Sequence, residues 1–136
     1  MAEALLLQHG AAGVVSLLRA ATQQRQPLRA ASLCAALIVI EDEADNVAAH
    51  RAGAAAALMD VIVTWPGNAV LCQAALCALF HAWGGGVAPF NDNTPIPTEQ
   101  IVQTIINTLH RHSSERYTAQ AAMRLLMLFS ASPNRD

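Results

Sequence analysis

The chain contains no lysine, and its eight basic side chains are all arginines spread along the sequence. Only 13% of its residues are charged, whereas roughly a quarter are charged in a typical soluble domain. Nucleic-acid-binding domains usually carry a basic stripe or patch. The sequence shows neither, and its net charge is −2, so the composition argues against a nucleic-acid partner.

Cysteine is scarce as well. Cys34, Cys72 and Cys77 show neither metal-ligand spacing nor a redox motif. Their odd number argues against a disulfide framework. We therefore expect reduced, buried thiols in a cytoplasmic protein.

From the sequence we expect neither a membrane-spanning segment nor a leader. The longest mainly apolar stretch, Ala30 to Ile40, is too short to span a bilayer. Met1-Ala2-Glu3 carries no positive charge of the kind that opens a signal peptide. These features predict cytoplasmic localisation and no association with a membrane.

Aromatic residues make up only 4% of the chain, although 54% of it is hydrophobic. Alanine supplies much of that apolar content. Because alanine is the best helix former and lets helices approach closely, the composition favours an all-α fold with thin layers between helices.

A block of residues recurs along the chain. The segment Leu28 to Ala35 reads LRAASLCA, and the segment Leu71 to Ala78 reads LCQAALCA, about 43 residues later. A weaker third copy runs from Thr118 to Leu125. A period of about 40–47 residues is typical of helical repeat arrays, in which one unit cannot bury its apolar face alone.

Apolar spacing, caps and breakers predict seven or eight helices. Gly10 should end a first short helix, Pro27 should sit in the first turn of another, and Gly53 should stop a third. We expect caps at Asp42 or Asp45, at Asn68, at Thr98, and at Ser113 or Ser114. The predicted helices cover about 2–8, 11–21, 27–40, 45–52, 54–64, 69–83, 99–111 and 115–130.

These helices fit one domain over residues 1–136, built from three units. The units are approximately 1–41, 42–83 and 98–131. Residues 84–97 form an irregular loop with three glycines and three prolines, and residues 132–136 form a tail.

The segment Asn46 to Ile62 resembles an armadillo repeat, with a short first helix, an Ala-Gly corner and a second helix with paired apolar positions. Gln8 to Leu18 is a poorer copy of the same corner. The resemblance implies a short right-handed α-solenoid of about three armadillo-like repeats. HEAT-like geometry, with two helices per unit, is the close alternative, because the loop 84–97 replaces the first helix of the third unit.

In the armadillo family the third helices line a concave groove, where some members read extended basic peptides with a ladder of Trp and Asn. Neither residue type stands at the aligned positions here, which argues against recognition of nuclear signals. The resemblance instead implies a mostly apolar groove, which suits an amphipathic helix. The groove residues it implies are Cys34, Ile38, Cys77, His81, Arg124 and Leu128.

Two further aromatic residues are candidates for contact with a partner. Trp83 either covers the apolar core, with its indole N–H near water, or anchors a partner. Phe90 lies in the long loop, and folding of Pro89-Phe90 back over the helices is preferred to partner capture. His81 also has two interpretations: a half-buried imidazole bonded to the backbone, which is preferred, or a groove contact whose charge changes near neutral pH.

Motifs for catalysis are missing. Gly84-Gly85-Gly86 lacks the lysine and the following helix of a phosphate-binding loop. His110 and His112 are two residues apart on a helix and do not share a face, which argues against a metal site. We therefore predict no enzyme activity, no catalytic residue, no metal, no cofactor and no small-molecule substrate.

The sequence thus predicts a non-catalytic protein–protein interaction module that binds a protein segment, such as an amphipathic helix, on the groove of its third helices. The alternative is a structural module that self-associates, or docks into a larger assembly, through its exposed terminal helices.

Overall fold

The computed structural model describes residues 2–40, 43–81 and 99–130, and this part of the chain contains seven α-helices and no strand. The all-α prediction is confirmed. The helices are α1 (Ala2–Gln23), α2 (Pro27–Ile38), α3 (Glu43–Arg51), α4 (Ala54–Thr64), α5 (Ala69–Phe80), α6 (Glu99–Arg111) and α7 (Arg116–Ser130).

Local signals set several helix ends as predicted. Gly10 adopts non-helical angles (φ 73, ψ 166) and kinks α1 between the two predicted segments. Pro27 lies in the first turn of α2. The Asn68 side chain accepts a hydrogen bond from the Leu71 amide at 3.1 Å and caps α5. Gly53 is left-handed (φ 91) between α3 and α4, a conformation that glycine adopts without steric cost.

The cap predicted for α7 is wrong, and one of the two alternatives predicted for α3 is excluded. Asp45 lies inside α3, which begins at Glu43, so Asp45 does not cap this helix. Ser113 and Ser114 lie in the turn before α7 and do not cap it. The cap position is Glu115, because its carbonyl accepts the hydrogen bond of the Ala119 amide at 2.9 Å. The predicted caps Asp42 and Thr98 lie outside the described residues.

α5 is the central helix. It packs against α2, α4 and α7, and its buried side chains therefore lie on several of its faces. α1 packs against α2, α3 and α4, while α6 packs against α7 and α4. The buried side chains of α5 are Leu71, Cys72, Ala75, Leu76, Ala78 and Leu79.

Among the described residues, one helix is apolar enough to cross a membrane by length and composition alone: α1, over Ala4–Gln23. Core helices of soluble proteins and signal sequences near an N-terminus pass the same test, and 28% of this window is buried. In this structure the helix is kinked at Gly10, and Val14, Val15 and Leu18 are fully buried in the core.

Candidate partner-binding surface

The three helices that carry the repeated block lie in a row, because α2 packs against α5 and α5 packs against α7. α5 and α7 run in the same direction. At their first turns the Thr118 hydroxyl donates to the Ala69 carbonyl oxygen at 2.9 Å, and near their ends Phe80 lies beside Leu128. The two helices therefore lie side by side in nearly the same register of the repeat.

A depression of about 330 Å³ opens where α5 and α7 end, and Phe80, Arg124, Met127 and Leu128 line it. Phe80 and Leu128 are half-buried against the core, whereas Met127 is 68% exposed and Arg124 is exposed. The depression is mostly apolar and has one cation at its edge.

Two of the predicted groove residues, Cys77 and Arg124, face each other across these helices. Burial raises the pKa of the half-buried Cys77 thiol, and the positive charge of Arg124 opposes part of that rise. Within the described residues Arg124 has no carboxylate partner. Its guanidinium is thus available to an acidic side chain from outside.

Cys34 requires a correction to the predicted groove. Its side chain is 0% exposed, and burial raises the pKa of its thiol to about 12. It is a core residue and cannot contact a partner, although the aligned Cys77 is half-buried. Ile38, which is also on α2, is half-buried and packs against the core.

Of the two roles predicted for His81, the structure shows the half-buried imidazole bonded to the backbone. Its Nε2 atom lies 2.6 Å from the carbonyl oxygen of Ile40. A carbonyl oxygen only accepts hydrogen bonds, so this ring nitrogen carries the proton and donates. The imidazole joins the end of α5 to the segment that follows α2, and it remains half-buried.

A second histidine has a similar role at the opposite end of α5. His112 is only 6% exposed, and its Nε2 donates to the Pro66 carbonyl oxygen at 2.7 Å. The Cys72 thiol lies 3.4 Å from the carbonyl oxygen of Trp65, which belongs to the same turn as Pro66. Burial raises the pKa of the Cys72 thiol to about 11, and the positive charge of Arg111 opposes part of that rise. These contacts fix the turn between α4 and α5 against the end of α6.

Sequence reasoning missed Phe80 and Met127. Each lies three residues after a predicted groove residue, Cys77 and Arg124 respectively, and residues three apart share a helix face. That spacing was the available signal. The two predicted loop or edge contacts, Trp83 and Phe90, lie outside the described residues.

No cluster of three or more His, Cys, Asp or Glu residues that could hold a metal ion occurs in the part of the chain that the structure describes. The thiols there are free cysteines, and no disulfide joins them. The side chains that line the depression offer apolar contact and one positive charge.

No family model, curated protein or solved structure shows a significant match to this chain. The class that the described residues define is that of an all-α domain with an apolar, arginine-edged depression on its surface.

Proposed function

We propose that this chain is an armadillo-like, non-catalytic interaction module that binds an amphipathic helix of another protein on the surface of α5 and α7. The observation that carries the proposal is the depression between these helices, in which Phe80, Met127 and Leu128 offer apolar surface beside the unpaired Arg124. The occupant is a partner helix that presents apolar side chains and an adjacent acidic residue.

The arrangement of the helices supports the armadillo-like part of the proposal. The repeated blocks on α2, α5 and α7 lie side by side, in chain order, and the second helices α1 and α4 also contact each other. Such pairing of equivalent elements is what stacking of similar units produces. The two imidazole–carbonyl bonds, from His81 and His112, span 41 and 46 residues, about one repeat length each.

The chemistry of the depression favours a helical partner over an extended one. An extended peptide needs side-chain amides to pair with its backbone, and the aligned positions hold Ile38, His81 and Leu128 instead. A helix pairs its own backbone and presents apolar side chains three or four residues apart. Methionine adapts its shape to such side chains, which suits Met127.

Selection of binders from a displayed library of amphipathic helical peptides tests the proposal. Peptides enriched on the wild-type protein should carry an acidic residue next to their apolar face. Arg124→Glu and Met127→Ser should each weaken them by roughly tenfold or more, because each removes a contact of about 1.5–3 kcal/mol.

The chain offers matched controls for both variants. Arg51→Glu reverses the charge of an exposed arginine on α3, and Val63→Ser removes a side chain that is 64% exposed on α4. Both should leave binding unchanged. Peptides that bind the wild type, the two surface variants and the two control variants equally would overturn the proposal. His81 is unsuitable for this test, because its ring holds the Ile40 carbonyl and its replacement would disturb the fold.

Exposed apolar side chains near the ends of the stack favour a second candidate function, assembly of this chain with itself or with a larger array. Leu7 and Leu28 are 88% and 86% exposed, and Met123 and Met127 share one exposed face of α7. Sedimentation that stays monomeric at high concentration would count against self-assembly. Loss of association in Met123→Ser, but not in Val63→Ser, would support it.

A further inference from the structure

A polar depression lies at a different part of the surface, between the end of α1 and α4. It is an open depression of about 330 Å³, and all the residues that line it have polar or charged side chains: Arg19, Thr22, Gln23, Arg25, Asp60 and Thr64. Its volume falls within the lower range of small-ligand pockets, which is about 300–1,000 Å³.

The backbone at Arg25 has an unusual conformation for its residue type. Arg25 has φ 57, and within the described residues it is the only non-glycine residue with positive φ. Its amide donates to the Thr22 carbonyl at 3.2 Å, and the Gln26 amide donates to the Ala21 carbonyl at 2.9 Å. These two bonds form a Schellman motif, in which the left-handed position is usually glycine. Arg25 therefore occupies a position where glycine would be more stable, and such an outlier motivates the hypothesis that its side chain has a function.

The charges in this depression are unpaired. Arg25 and Asp60 both line it, yet neither forms a hydrogen bond or an ion pair through its side chain within the described part of the chain. Arg19 donates one N–H to the Gly53 carbonyl at 3.3 Å, which fixes its guanidinium at one wall and leaves its other donors free. The Thr22 hydroxyl donates to the Leu18 carbonyl, so its oxygen is available as an acceptor.

The geometry points to a binding site for a small zwitterion that carries a carboxylate and an ammonium group a few bonds apart. Arg19 and Arg25 hold the carboxylate, since guanidinium groups bind carboxylates through paired N–H donors. Asp60 and the Thr22 hydroxyl oxygen accept from the ammonium group. The site shares no lining residue with the proposed partner surface.

Titration of the ¹⁵N-labelled full chain with γ-aminobutyrate tests this assignment, with butyrate and butylamine as probes that each carry one of the two charges. We expect saturable shifts of the amides around Arg25 and Asp60 with γ-aminobutyrate, and binding of each single-charge probe weaker by about tenfold, because each lacks one charge-assisted contact.

Two variants make the test specific. Arg25→Gly should weaken γ-aminobutyrate by about tenfold without loss of folding, since glycine suits this backbone position. Asp60→Asn should weaken γ-aminobutyrate but strengthen butyrate, because it removes a negative charge that repels the anion. Arg29→Gln, an exposed control with the same charge change on α2, should have no effect.

Three results would overturn the assignment. One is the absence of saturable shifts with γ-aminobutyrate. Another is butyrate that binds as tightly as the zwitterion, which would indicate a simple anion site without a role for Asp60. The last is a loss of binding in Arg29→Gln as large as that in Arg25→Gly.

Discussion

The His81 Nε2 atom donates a hydrogen bond to the Ile40 carbonyl oxygen at 2.6 Å, across 41 residues of sequence. His112 makes the same kind of bond to Pro66 at 2.7 Å, across 46 residues. Imidazoles thus tie the ends of α5 and α6 to carbonyls that precede them by about one repeat length. The two histidines therefore join helix ends to segments that are distant in the sequence.

Replacement of His112 should destabilise the fold. The side chain is 6% exposed, and His112→Ala removes its bond to Pro66 and leaves a small cavity, so unfolding in urea should show a loss of about 1–3 kcal/mol. His110→Ala is the control: His110 is exposed two residues away, and its loss should change stability by less than about 0.5 kcal/mol. Equal effects of the two variants would contradict the role of His112.

Arg25→Gly should stabilise the protein. The left-handed conformation at φ 57 costs a non-glycine residue about 1–2 kcal/mol, partly offset by the greater freedom of glycine in the unfolded chain, so we expect a gain of about 0.5–1 kcal/mol. Arg29→Gly, inside α2, should instead lose about 1 kcal/mol. Thermal unfolding that shifts both variants in the same direction would refute this reading of the α1–α2 turn.

Gly53→Ala should have the opposite sign to Arg25→Gly. Gly53 has φ 91, and an added Cβ would overlap the Arg19 guanidinium that binds its carbonyl. Because the arginine tip can move, most of the cost is backbone strain, about 1–2 kcal/mol in chemical denaturation. A matched Gly13→Ala, inside α1 with only a tight contact to His9, should cost less. A Gly53→Ala protein as stable as the wild type would show that the left-handed corner is not required.

The buried thiols should make stability fall at high pH. Burial raises the pKa of Cys34 to about 12 and of Cys72 to about 11, from 9.0. Above pH 9 the unfolded thiols lose protons while the folded ones keep them, so stability is retained below pH 9 and declines as pH rises toward 11 to 12.

Urea unfolding at about pH 8 and about pH 10 measures this decline, and Cys34 alone should account for about 1 kcal/mol of it. Cys34→Ala should show a correspondingly shallower pH dependence, whatever its absolute stability. An unchanged slope of stability against pH in Cys34→Ala would exclude this thiol as the cause.

In thiol labelling of the native protein, the half-buried Cys77 should react before Cys34 and Cys72, which are fully buried.

The helices were predictable because their boundaries depend on local signals. Gly10, Pro27, Gly53 and Asn68 each act through their own backbone preference or a side chain within three residues. Of the two alternatives predicted for the start of α3, Asp45 does not cap the helix, because Glu43 and Ala44 are already helical. Local preference did not determine which of several adjacent polar residues began the helix.

The candidate surface was less predictable, because burial depends on neighbours that a repeat alignment does not include. Cys34 and Cys77 occupy equivalent positions, yet the first is fully buried and the second is half-buried. Likewise, the bond of His81 to Ile40 depends on the packing of α2 beside α5. The left-handed conformation of Arg25 was not predictable from the sequence, because glycine is the usual signal for that turn.

A charge-swap cycle between Arg124 and a selected helical peptide tests the central proposal most directly. Binding would be measured for the wild type and for Arg124→Glu, each with the selected peptide and with a peptide whose acidic residue is changed to lysine. We predict that each single change weakens binding by roughly tenfold and that the two changes together restore it to within a few-fold, because the charges face each other in the complex. Additive losses without recovery, with both proteins equally folded, would show that the peptide does not dock at Arg124 and would contradict the proposed partner-binding surface.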